Sequence, residues 1–169
     1  VNVVMGLEVA KNYPQGALYG DWFVDDITTF PHHVPRKTAL LIGGRRDWDD
    51  FTLHLEYFHA DRETYTHKNP NNDYLYKGYP MGFPLGPDSE GIFLRFDFHK
   101  QSPFILQIAH TTLQKDSSTS TEISSLNLLI PYDLGTDKSF SLGINPYRRE
   151  TGGEVERGII WEIRAEYDF

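Results

Sequence analysis

The 169-residue chain contains no cysteine. A disulfide framework and a thiolate metal site are therefore excluded. Positive charge is scarce: 16 Lys and Arg stand against 24 Asp and Glu, a formal net charge of −8. That balance argues against nucleic acid as a partner. No apolar run approaches the roughly 18 residues that a membrane helix needs. This removes helical spans but leaves transmembrane strands open, because strands that alternate lipid-facing and lumen-facing residues carry little hydropathy signal. A starting Met and a signal peptide are also missing before Val1, so the chain is expected to be processed or a fragment. Its length suits a single domain covering 1–169.

What is plentiful is aromatic side chains, with 10 Tyr and 11 Phe, and alternation with a period of two. Val1, Val3, Met5, Leu7 and Val9 share a face. Leu18, Trp22 and Val24 oppose Tyr19, Asp21 and Asp25. "KTALLIGGRR" is a third strand, less cleanly alternating. Phe51, Leu53, Leu55 and Tyr57 oppose Thr52, His54 and Glu56, and Ile92, Leu94, Phe96 and Phe98 oppose Arg95, Asp97 and His99. Phe104, Leu106 and Ile108 oppose Gln107 and Thr111. "SSLNLLIPY" and "SFSLGINPY" follow more weakly, and "GIIWEIRAEYDF" is the ninth strand. The expected fold class is all-β.

The connections alternate in length. "KNYPQG", "RRDWDD", "HKQS" and "DLGTDK" are short, whereas "TTFPHHVPR", the stretch from Asp61 to Glu90, "QKDSSTSTE" and "RRETGGEVERG" read as long and polar. An antiparallel up-and-down transmembrane β-barrel does this, with short periplasmic turns and longer extracellular loops. A soluble sandwich or barrel also has half-buried alternating strands, but nothing obliges its turns to alternate. Asp21, Asp25, His54, Glu56, Arg95, Asp97, Glu162, Arg164 and Glu166 would line one aqueous interior of the membrane form. The expectation is thus a barrel in the bacterial outer membrane, in contact with its lipid.

The last strand sharpens this. Trp161, Ile163, Ala165, Tyr167 and Phe169 alternate with Glu162, Arg164, Glu166 and Asp168. Such a strand resembles the C-terminal signal of outer-membrane proteins, read by the barrel assembly machinery through Trp161, Ile163, Tyr167 and Phe169. The alternative is an edge strand blunted by charge. With Phe169 periplasmic, counting back puts every long loop outside and Val1 at the extracellular end. Nine strands then form an incomplete barrel, to be completed by N-terminal strands or by another chain.

The longest connection, "YTHKNPNNDYLYKGYPMGFPLGPDSEG", carries an ordered motif. Tyr65-Thr66-His67 comes first, then Tyr76, Gly78, Tyr79, Pro80, Met81 and Gly82, then Gly86, Asp88 and Gly91. This order resembles the capsule assembly Wzi family of outer-membrane proteins, with Met81 in place of the family's Leu. The likeness covers residues 50 to 115 and extends to "ALYGDWFVDD"; elsewhere it rests on strand pattern. The resemblance implies an eighteen-stranded barrel, of which nine strands are the C-terminal half. It also implies a lectin-like, non-catalytic role in holding capsular or exopolysaccharide at the cell surface.

Sugar rings stack on aromatic faces and accept directed hydrogen bonds. The glycan-binding candidates are Tyr65, Tyr74, Tyr76, Tyr79 and Asp88; taken singly, the tyrosines also suit membrane-interface anchoring. His32 and His33 are adjacent, so in an extended segment they point apart and make a poor metal pair. His54, Glu56 and Asp97 lack a recognisable nucleophile partner, which leaves a hydrolase as the weaker alternative. A passive channel is the other alternative. No catalytic residue, metal or cofactor is expected.

Overall fold

A strand with one apolar face can satisfy its backbone only by pairing, and a run of such strands joined in order gives a meander. In the computed structural model the described residues are 5–24, 37–62, 64, 75–76, 79–80, 86–100, 103–114, 120–133 and 138–167. The strands are β1 (Met5–Tyr13), β2 (Gly16–Val24), β3 (Thr38–Asp47), β4 (Phe51–Ala60), β5 (Leu75–Tyr76), β6 (Tyr79–Pro80), β7 (Ser89–Phe98), β8 (Phe104–Leu113), β9 (Thr121–Asp133), β10 (Lys138–Thr151) and β11 (Glu154–Tyr167). Nine of them form one antiparallel sheet in the order β1-β2-β3-β4-β7-β8-β9-β10-β11, and β5 pairs with β6 alone. Among the described residues β1 and β11 have no second strand neighbour, so the sheet does not close on itself. No described residue is helical.

The expected nine strands and their neighbour order agree with this sheet. One connection does not. "RRETGGEVERG" was expected to be a long loop, yet β10 and β11 pair without interruption up to Thr151 and Glu154. The turn is Gly152–Gly153, with φ of 58° and 87°. Positive φ at both central residues is the type I′ geometry, whose twist matches that of the flanking strands. The small β5–β6 hairpin was not anticipated.

Register sorts the side chains into two faces. Leu55, Leu94 and Ile108 stand opposite one another in turn, as do Leu53, Phe96 and Leu106. Their row continues through Leu128 and Ile144 to Trp161. The expected partition therefore holds: Phe51, Leu53, Leu55, Ile92, Leu94, Phe96, Trp161 and Ile163 share one face, and Glu56, Arg95, Asp97 and Glu162 lie on the other.

Exposure then runs opposite to that of a water-soluble sheet. The apolar face is open, with Trp161 76% and Ile163 71% exposed. The face carrying the charges is the crowded one. Among the described residues every buried strand side chain except Val24 points to it, including Thr52, Ala39, Phe58, Asn127 and Leu129. Side chains two strands apart touch there: the Tyr19 hydroxyl donates to Glu56, and Asn127 Nδ2 donates to Glu162 Oε2 at 3.5 Å. Contact over such a span requires the sheet to curl toward this face.

Glycines make room for the curl. Tyr19 is opposite Gly43, Phe58 opposite Gly91, Leu129 opposite Gly143 and Tyr147 opposite Gly158. In each pair the large side chain lies over the glycine, and an added Cβ would meet it at 2.4 to 2.7 Å. Covering a strand glycine with a cross-strand neighbour is a recognised way to let a sheet bend without losing packing.

Candidate functional site

Three surfaces carry the chemistry. The first is the apolar face, which runs obliquely to the rows of paired residues. The row from Leu7 passes Trp22 and Leu40, then turns polar at His59, Glu90, Thr112, Glu122 and Glu150 before Val155. The row from Trp161 is apolar as far as Leu53, then meets Arg46, Gly16 and Tyr13. The apolar band thus slides along the strands from one side of the sheet to the other.

Aromatic rings edge the band at the end with the short turns. Trp48 stacks on Phe51 with centroids 4.6 Å apart, Phe51 on Phe98 at 5.8 Å, and Phe98 on Phe104 at 4.1 Å. Basic side chains join them, with Arg46 over the Trp48 ring at 5.8 Å and Lys11 over the Tyr13 ring at 5.2 Å. Rings and cations with an apolar body and a polar tip suit a boundary between oil and water. The sequence held every one of these residues, but their assembly into a stacked row depends on register between β4, β7 and β8.

The second surface is the charged, crowded face. Arg95 Nε donates to Asp97 Oδ1 at 2.6 Å, and His54 Nε2 lies 3.5 Å from Asp97 Oδ2. Thr52 Oγ1 lies 3.0 Å from both Asp47 Oδ1 and His99 Nε2. His54 and Asp97 are therefore engaged with each other across β4 and β7, and Glu56 with Tyr19 two strands away. The described residues contain no group of three or more His, Asp or Glu placed to hold a metal ion.

The third surface is the root of the connection between β4 and β7. Thr38 donates to Asp61 Oδ2 from its backbone N–H at 3.1 Å and from its hydroxyl at 2.6 Å. His59 Nε2 lies 3.1 Å from Asp61 Oδ1, and His59 Nδ1 lies 3.5 Å from Glu90 Oε2. The Asp61 carbonyl accepts the N–H groups of both Thr64 at 3.1 Å and Asp88 at 3.2 Å. One carbonyl thus joins the two ends of the connection. The fully buried Thr64 donates its hydroxyl to the Thr38 carbonyl at 3.0 Å, and the fully buried Ser89 donates to that of Gly86 at 2.7 Å. Partial burial pushes the Asp61 carboxyl pKa up, but hydrogen bonds from Thr38 and His59 outweigh it, so the group titrates below the ordinary 3.8.

Of the glycan-binding candidates, Tyr65 and Tyr74 lie outside the described residues, as do His32 and His33. Tyr76 and Tyr79 are directly paired across the β5–β6 hairpin. Asp88 sits in the loop root, 9% exposed and with φ of 54°. Its backbone closes the loop, a role that sequence did not reveal. Phe169 lies outside the described residues, and Tyr167 pairs at its Cα with Lys138. In comparisons by sequence, no family model matches the chain and no curated protein matches it.

Proposed function

We propose that this chain is part of an outer-membrane β-barrel that retains capsular or exopolysaccharide at the cell surface and catalyses nothing. The observation that carries the membrane half of this reading is the inversion of exposure: the apolar face is open and the charged face is crowded. Lipid outside and a polar interior suit that arrangement, whereas water on the apolar side does not. The oblique band and the aromatic row at its edge support the same reading. Strands that complete the barrel would pair with β1 and β11, since free ladders are not tolerated in hydrocarbon. Trp161, Ile163, Tyr167 and Phe169 would serve as the assembly signal.

The glycan half rests on the resemblance to the Wzi family and on the Tyr-rich connection. The contacts at Asp61 and Asp88 tie together the two ends of that connection, and Tyr65, Tyr74, Tyr76 and Tyr79 are the residues proposed to meet the polymer. Stacking contributes about 0.5–1.5 kcal/mol per ring beyond area burial. Single sites are then weak, and retention depends on one long polymer engaging many copies. Replacing Tyr74, Tyr76 and Tyr79 together by Ala should release polysaccharide from cells without lowering the amount made or the amount of barrel in the membrane. A layer that stays attached removes the loop as the binding site. A layer that survives deletion of the whole protein sinks the anchor reading, and single-channel conductance in planar bilayers then tests a passive pore.

A further inference from the structure

The open apolar face is not smooth. Gly16, Gly20 and Gly44 fall on it in β2 and β3, where neighbouring strands carry large side chains. Of these glycines, Gly44 lines a groove of about 380 Å³, together with Leu18, Ile42, Leu53, Leu55 and Tyr57, and Arg46 is also in its lining. That volume lies in the range of small-ligand pockets, roughly 300–1,000 Å³. Its wall is almost wholly hydrocarbon apart from the guanidinium.

Arg46 is exposed and lies two residues toward the short-turn end from Gly44. It donates to Gln15 Oε1 at 2.9 Å through one amino group and lies over Trp48. A guanidinium has five N–H donors, so one such bond leaves it able to clasp an anion. Lys11 is opposite Leu18 on the same face and adds a second exposed cation beside the groove. Of the three acids in the adjoining turn, Asp47 pairs with Arg45 at 3.1 Å and Asp50 with Lys100, while Asp49 adds one carboxylate.

We infer that this groove binds one acyl chain of an anionic phospholipid, with the lipid phosphate held by Arg46 and Lys11. An apolar trough ending in cations at an aromatic boundary matches a molecule with a hydrocarbon tail and a phosphate head. The inference rests on the membrane reading of the apolar face. It goes further by fixing the place and the headgroup chemistry. With the short turns periplasmic, the lipid belongs to the inner leaflet.

The test uses the full chain, purified in detergent, with added phosphatidylglycerol or with a diacylglycerol that lacks phosphate. Native mass spectrometry reads the lipid retained, and co-flotation with liposomes reads membrane association separately. Wild type should retain phosphatidylglycerol in preference to diacylglycerol. Arg46→Gln should retain roughly tenfold less, the scale of one charge-assisted hydrogen bond. Gly44→Leu, whose side chain must push Leu18 into the trough, should lose both lipids. Variants that float normally yet retain as much phosphatidylglycerol as wild type overturn the site and leave the membrane reading standing, as does equal retention of diacylglycerol. If Gly44→Leu does not float, Arg46→Gln alone decides. Failure of wild type to float overturns the membrane reading and this site with it.

Discussion

At the scale of single residues, Asp61 joins three parts of the chain. Its carboxylate takes two donors from Thr38 and faces His59, while its carbonyl joins both ends of the loop. Because the folded carboxyl titrates below its ordinary 3.8, its contribution is present above that value and is lost as pH falls through the lower folded one. The protection factors of the Thr38, Thr64 and Asp88 amides, that is, exchange corrected for its intrinsic pH dependence, should therefore fall in acid, below about pH 4. Asp61→Ala should loosen the same amides at neutral pH, costing about 1–3 kcal/mol locally by stripping the Thr38 N–H of its partner. Exchange at those amides that is unchanged by the substitution would deny Asp61 this role. Nothing in the sequence joined positions 38, 59, 61, 64 and 88, because closeness across a register is not a local property.

At the scale of elements, alternation was legible because it needs only neighbours in sequence. Leu53 and Leu55 against His54 and Glu56 gave β4 its two faces before any pairing was known. The weaker β3 was harder, since Ala39 and Leu41 put apolar residues on both sides; they pack with Phe23 and Phe58 on the crowded face. The β10–β11 turn was misjudged for a different reason. Arg148, Arg149, Glu150, Glu154, Glu156 and Arg157 are charged on both faces, which suggested a loop, although the Gly-Gly pair between them is itself a hairpin signal. Glycines at mid-strand had no visible purpose until their partners were known. Gly43 can be tested directly. A Cβ there would lie 2.4 Å from the Tyr19 ring, so Gly43→Ala must displace Tyr19 from Glu56. Overpacking of this kind costs about 1–3 kcal/mol. Chemical denaturation should show that loss in wild type and little of it in a Tyr19→Ala background. An equal cost in both backgrounds would place the strain elsewhere.

At the scale of the whole molecule, the two faces of the sheet ask for two solvents. Adjacent positions 94 and 95 in β7 lie on opposite sides. Spin labels there, in the protein reconstituted in bilayers, should differ, with position 94 quenched by a lipid-soluble reagent and position 95 protected. Equal quenching would refute the membrane reading. Leu94→Arg should cost roughly 2–4 kcal/mol if that position is near the bilayer midplane, and a change on the charged face less. The edges add a constraint. In this nine-stranded meander β1 and β11 run the same way, so a second copy related by an axis along the membrane normal would meet them in parallel and not extend the antiparallel ladder. The oblique band, finally, sets an inclination. From Val155, where the row of Leu7 arrives, to Trp161 is 161 − 155, or six residues. Six residues at roughly 3.3 Å are about 20 Å, against about 38 Å for eight strand-to-strand steps of about 4.8 Å, which leans the strands about 30° from the slab normal. One flank of the sheet must then overhang. From Ile159 back to Glu154 the strand runs five residues past the last apolar row, about 17 Å, so β10 and β11 project beyond the band as a two-stranded ribbon. The Gly152–Gly153 turn at the tip of that ribbon is the place where an inserted peptide would stand farthest from the apolar band.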